Sequence, residues 1–180
     1  MFSYQRLSLV VLACIATSCG RPDDPLGDLD PLARNPAGSC LAGCQSGFKC
    51  SAGKCTLDPS ALWRLTVTSG KVSTVTPAGD SWDAFGGAPD PYVCLTIGSS
   101  RNCTSTVRDS FQPVWNEVFP SATTTALLSG VTVSVVDEDI SNNDQICGPN
   151  VVPVTETNFL LGTWKPTCTS AEFSATLTAQ

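Results

Sequence analysis

The chain has 180 residues, room for one ordinary domain with appendages, and its 42% hydrophobic content argues against disorder along its whole length. It contains ten cysteines and no histidine, which removes Ser-His-Asp triads, Cys-His pairs and histidine-ligated zinc from consideration. A net charge of -6 and a pI near 4.4 argue against a nucleic-acid partner, because phosphate binding rests on clustered lysine and arginine.

Met1 to Arg6 carries one positive charge, Leu7 to Ala16 is apolar, and the small residues Thr17 and Ser18 precede Cys19. That order describes a signal peptide over residues 1–18, too short to span a bilayer. Ala16-Thr17-Ser18-Cys19 resembles a bacterial lipoprotein lipobox, which implies lipidation of Cys19 and a membrane-anchored, exported protein. The match departs from the family at Ala16, where leucine is preferred, and a competing match at Cys14 leaves too short an apolar core. Secretion without an anchor, with Cys19 as a free or paired thiol, is the alternative. Residues 19–38 are rich in Asp, Pro and Gly with no apolar period, and read as a solvated, extended tether.

Cys40, Cys44, Cys50 and Cys55 fall in a glycine-containing run over residues 39–56 without the C-x2-C pairs of metal sites. In an exported chain such a run is expected to close two disulfides. Three connectivities are open, of which Cys40 with Cys50 and Cys44 with Cys55 is the expected one. The unit resembles short Cys-Gly modules behind the tether of some exported bacterial lipoproteins. Too small for a core of its own, it is expected to act as a stiff spacer.

From Leu62 to Gln180 the chain reads as short alternating strands with no helical period of useful length. The predicted strands lie at 62–68, 91–97, 101–107, 114–119, 131–136, 150–155 and 172–178, with a short one near Thr124 to Leu128. Eight such segments suggest an all-β, eight-stranded antiparallel sandwich. Cys94 and Cys103 flank a Gly98-Ser99 hairpin turn, and counting outward sets them opposite each other at a non-hydrogen-bonded site, where a disulfide fits. Cys147 and Cys168 remain as a fourth pair, tying a loop to the approach of the last strand. In the segment 131–136, Val131, Val133 and Val135 share one face and Thr132 and Ser134 the other, a half-buried strand that runs into Asp137-Glu138-Asp139.

Three blocks then occur in order: Ala88-Pro-Asp-Pro-Tyr-Val93, Gln112-Pro-Val-Trp-Asn-Glu-Val-Phe119, and Val131 to Asp139. They resemble the DPYV, NPxWNExF and LxVxVxDxD blocks of C2 domains, over about Leu62 to Gln180. The resemblance implies a sandwich that binds calcium in loops at one end.

The acidic residues fit that implication. Asp137 and Asp139 lie two apart at a strand end, Asp144 follows in a polar loop, and Asp83 and Asp90 bracket a glycine-rich loop. Carboxylates gathered at one end repel unless a cation is present, and hard oxygen ligands suit calcium. By motif, Asp83 and Asp90 match first-loop ligands, and Asp137, Asp139 and Asp144 match those of the third loop. One residue more separates Asp83 from Asp90 than the family uses, and one fewer separates Asp139 from Asp144, so Asp80 or Glu138 are substitutes. Trp82 and Phe85 adjoin Asp83, and Ile140 adjoins Asp139. Membrane contact by these three is one reading, and packing beneath the long loop is the other. Five basic against eleven acidic residues from Leu62 onward leave no polybasic patch for highly anionic lipids. The function expected is a surface-tethered, calcium-dependent binding module for lipid head groups or a partner protein. The alternative is a structural or adaptor domain stiffened by calcium. An enzyme is not expected, since no GxSxG-type setting accompanies the missing histidines.

Overall fold

The computed structural model describes Cys40 and residues 43–83, 87–139 and 143–180. The expected signal peptide, the tether, Cys19, Phe85 and Ile140 lie outside the described residues.

The cysteine-rich unit forms a hairpin of β1 (Phe48–Ser51) and β2 (Lys54–Leu57), with Cys50 opposite Cys55. Disulfides join Cys40 to Cys50 and Cys44 to Cys55, with Cα atoms 5.6 and 5.5 Å apart. The unit is not a detached spacer. Phe48 is buried edge-on against Trp63, ring centroids 6.4 Å apart, and Trp63 packs in turn on Phe159 at 4.8 Å. Gly47 has φ of 84°, and a Cβ there would stand 2.2 Å from the Trp63 ring. A hairpin too small for its own core thus shares that of its neighbour.

The remaining elements are β3 (Leu62–Val72), β4 (Pro91–Ile97), β5 (Ser100–Cys103), β6 (Val114–Val118), β7 (Ala122–Thr123), α1 (Thr124–Leu128), β8 (Val131–Asp137), β9 (Asp144–Val152), α2 (Glu156–Leu161), β10 (Thr163–Trp164) and β11 (Ala171–Ala179). One sheet runs β10-β11-β3-β6, with β7 also on β3, and the other runs β5-β4-β8-β9. Trp63, Leu65 and Val67 of β3 and Phe173, Ala175 and Leu177 of β11 face Val93 and Leu95 of β4 and Val131, Val133 and Val135 of β8 in one core. The architecture is the expected antiparallel sandwich, with period-2 burial closing two sheets on each other.

Local differences have local causes. Thr124–Leu128, expected as a strand, is a helical turn, because the Thr123 hydroxyl accepts the Ala126 N–H at 3.2 Å and caps it. The segment expected as a strand over 150–155 stops at Val152, since Pro153 has no N–H to pair, and Thr155 then opens α2 with a capping box. Two dipeptide strands, β7 and β10, bring the sandwich to nine described strands. β8 is buried at Ser134 and Val136 as well as on its core face. Ser134 lies opposite Cys94, and the Cys94–Cys103 disulfide covers that outer side. Thr104 N–H donates to Val93 O at 2.9 Å, the bond that flanks a non-hydrogen-bonded pair, and the two cysteine Cα atoms are 4.0 Å apart. Cys147 is bonded to Cys168 from within β9, opposite Val135, and not from a loop.

The sandwich has two distinguishable poles. Pro91 pairs with Asp137, Asp137 with Asp144, and residues 107–113 bond back to Pro89 and Pro91 on one side and to Gly70 and Val72 on the other. These contacts gather the end of β3, the start of β4 and the β8–β9 turn at one pole. Leu62, Trp63, α1 and Gln180 meet at the other, where Gln180 N–H donates to Leu62 O at 2.9 Å. Among the described residues no helix is long and apolar enough to cross a membrane.

Candidate metal centre

Asp137 closes β8 and is fully buried, held there because Pro91 opposite it starts β4. Its Oδ1 accepts the Asp90 N–H at 2.6 Å, and the Asp90 Oδ1 accepts the Asp109 N–H at 2.7 Å. Glu138 N–H donates to Asp90 O at 3.0 Å, so three strand-end segments are laced together by carboxylates and backbone. Carboxylate oxygens of Asp83, Asp90 and Asp109 lie within 4.8 Å of one another. Gly87 makes that approach feasible: a Cβ there would stand 2.8 Å from the Asp83 Cβ. The Asp139 charge acts on Asp83, and the Asp139 N–H donates to the Asn143 Oδ1 at 3.0 Å.

Electrostatically the site is unbalanced. Burial pushes Asp137 up to about 6, against the opposing Asp90 N–H bond, and the charges of Asp139, Asp83 and Asp90 push the same way as burial. Asp83 is raised by desolvation first and then by Asp90, Asp139 and Asp109. The salt bridge among the described residues joins Lys49 to Asp58, in the cysteine-rich unit and away from this pole. Asp137 Oδ2 is buried without a hydrogen-bond partner. An unpartnered buried carboxylate oxygen at a pole where Asp83, Asp90 and Asp139 add their charges fits a hard dication with many oxygen ligands, which calcium is.

The residues named from sequence are distributed unevenly. Asp83 and Asp90 converge, Asp137 anchors Asp90, and Asp139 adjoins Asp83. Asp144 opens β9 in register with Asp137 and is exposed; like Asp137 and Asp139, it lies outside the Asp83–Asp90–Asp109 group. Asp80 closes a turn with Thr76 through its backbone, and its carboxylate is outside the Asp83–Asp90–Asp109 group. Asp109 was not legible in the sequence. It sits in an Arg-Asp-Ser turn at φ 50°, and only the fold brings it to Asp90. Trp82 is not a membrane contact. It is 5% exposed in the core, and its indole N–H donates to Ser73 O at 2.7 Å, so inserting it in a bilayer would cost both core packing and that bond.

Comparison with known proteins locates the chain. The C2 domain family matches residues 63–167. Human cytosolic phospholipase A2 delta is 28% identical over 102 residues, 55% of this chain and 12% of that protein. A C2 and GRAM domain-containing protein of Arabidopsis thaliana is 39% identical over 85 residues, 44% of this chain and 8% of that protein. The chain thus spans about a tenth of the length of these curated relatives. Among solved structures, a portion of extended-synaptotagmin 2 made of its SMP domain and two C2 domains superposes with a TM-score of 0.51 at 15% identity, covering 68% of this chain and 27% of that one. A single C2 domain of plant extended synaptotagmin 1 gives 0.48 at 18% identity, covering 68% and 96%. With the family match spanning more than half of its length, this chain belongs to the C2 domain family.

Proposed function

We propose that this protein is an exported, N-terminally anchored binding module whose acidic pole takes calcium and then engages lipid head groups or a partner protein. The observation that carries the reading is the buried, unpartnered Asp137 Oδ2, on a carboxylate that feels the charges of Asp139, Asp83 and Asp90, the last two of which converge with Asp109. Asp83, Asp90, Asp109, Asp137 and Asp139 are the residues that would hold the ion. Calcium supplies positive charge and open coordination positions that accept phosphate or carboxylate oxygens from a ligand. The chain's own part is to fix the carboxylates on strand ends, tied by the Asp90–Asp137 and Asp109–Asp90 bonds. Anchoring is supported by the lipobox-like Ala16 to Cys19 and by eight cysteines in bonding geometry, which suits an oxidising compartment. The role proposed is binding.

Vesicle sedimentation with and without millimolar calcium tests this reading. Calcium-dependent pelleting, lost in Asp137→Asn with Asp139→Asn, is the expected result. A calcium-stabilised protein that never pellets with vesicles and captures no partner would be a stiffened structural domain instead.

A further inference from the structure

The four disulfides differ in what surrounds them. Cys44–Cys55, Cys94–Cys103 and Cys147–Cys168 each have one buried member: Cys55 is 7% exposed, Cys94 1% and Cys147 5%. In Cys40–Cys50 neither member is buried, and Cys50 is exposed. The difference bears on thiol–disulfide exchange, in which a thiolate attacks one sulfur and expels the other as a thiolate. Burial raises the pKa of a thiol, so expelling Cys55, Cys94 or Cys147 puts charge where water does not reach. Attack from the other side is closed by the packing that buries the same residue. At Cys40–Cys50 a thiolate reaches Cys50 from solvent, and the departing Cys40 is partly open to water. The local fold adds to this. Cys50 lies in β1, β1 and β2 have four residues each, and of these only Phe48 and Cys55 are buried. A hairpin of that size opens locally at little cost. Its seat on the sandwich is made by other groups: Phe48 meets Trp63, and Cys44, bonded to Cys55, packs against the core. Apart from its disulfide, Cys40 is tied to the hairpin through its N–H, which donates to Gly53 O at 3.3 Å.

We propose that Cys40–Cys50 is a thiol-exchange site: a small-molecule thiol opens it through an adduct on Cys50, while Cys44–Cys55 and Phe48 keep the hairpin seated on the sandwich. The incoming thiolate forms a bond to Cys50 Sγ as the bond between Cys50 and Cys40 breaks. Cys40 leaves with the electron pair and takes a proton from water. A second thiolate then attacks the sulfur attached to Cys50, which frees Cys50 as a thiol and releases the small molecule as its own disulfide. In sum, two thiols give up two electrons and two protons to one protein disulfide. One bond of the chain thus answers to the thiols around it, and three hold the fold.

The test incubates the full chain, under native conditions, with graded concentrations of reduced glutathione. Samples are quenched with acid, alkylated and mapped by peptide mass. Cys40 and Cys50 are expected to open on the order of tenfold or more faster than any other pair, with glutathione attached to Cys50 at early times. Tryptophan emission is expected to hold steady through that phase, because Phe48 keeps its place on Trp63. Cys40→Ser with Cys50→Ser should abolish the fast phase and leave the slower openings unchanged. If that variant does not fold, the wild-type map alone decides. Another pair opening first, all four opening together, or an emission shift that accompanies the first opening would overturn the proposal. So would a fast phase that survives in the double variant.

Discussion

Asp137 concentrates the chemistry of this protein in one side chain. Folding buries it, gives one oxygen an N–H partner and leaves the other without any. Its folded pKa of about 6 lies above the ordinary 3.8, so the cation-free protein binds a proton there more tightly than the unfolded chain does. The sign follows directly. Stability from this group is complete below the unfolded value and is lost as pH rises through about 6. Without calcium, the melting temperature is expected to rise as pH falls from 7 to 5, by an amount equivalent to on the order of 1 kcal/mol over that window. Asp83, shifted in the same direction, adds to the trend. Asp137→Asn should flatten most of the dependence and raise the cation-free melting temperature at pH 7. A wild-type melting temperature that falls between pH 7 and 5 would reverse this assignment. In calcium the order inverts, since protons compete with the ion, and affinity should weaken as pH drops below 6.

At the scale of elements, two glycines carry separable predictions. Gly87 approaches Asp83 closely, and Gly87→Ala places a Cβ 2.8 Å from the Asp83 Cβ. Gly87 is outside the hydrophobic core, so the variant should fold normally while its calcium affinity drops by roughly 10–100-fold, as when a group that orients a ligand is lost. Calorimetric titration beside a denaturant melt distinguishes this from a folding defect. Gly47 lies in the cysteine-rich hairpin, and Gly47→Ala drives a methyl group into the Trp63 indole at a positive φ. The expected cost is about 1–3 kcal/mol, read as a lower denaturant midpoint for the sandwich. An unchanged midpoint would mean that the hairpin packs on nothing. Together the two substitutions separate the elements that hold an ion from those that hold the fold.

For the whole molecule, the acidic pole keeps unrelieved repulsion until a cation binds, with no ion pair at that pole among the described residues. A ligand that binds only the folded state adds about 1.4 kcal/mol when present at ten times its Kd. Extracellular calcium modules bind in the range of roughly 10⁻⁴–10⁻³ M, so millimolar calcium should raise the melting temperature by several degrees. Magnesium, which demands a tighter octahedral shell, should do little. Asp137→Asn with Asp139→Asn should melt higher than wild type without calcium and barely respond to it. A double variant that keeps the full calcium shift would place the ion elsewhere. Anchoring has its own readout: Cys19→Ser should release a soluble protein with an unchanged fold, and release by Cys14→Ser alone would move the modified residue.

The sequence alone determined the sandwich, because period-2 burial and turn residues act locally. The same holds for the Cys94–Cys103 register, which follows from counting outward from one turn. It also carried the motif blocks that mark the family and four of the acidic residues gathered at one pole. Tertiary structure decided the rest. Thr124–Leu128 is apolar enough for a strand, and a capping hydroxyl made it helical. Trp82 beside an acidic loop reads equally as core or surface until Ser73 is placed against it. The cysteine-rich hairpin became part of the domain only through Phe48 meeting Trp63, two rings fifteen residues apart with nothing local to pair them. Asp109 joined Asp83 and Asp90, while Asp144 stands exposed opposite Asp137, because the grouping of carboxylates depends on which loops fold together in space. Periodicity along a chain fixes which way a side chain faces; it does not carry the distances between loops that meet only when two sheets close on one core.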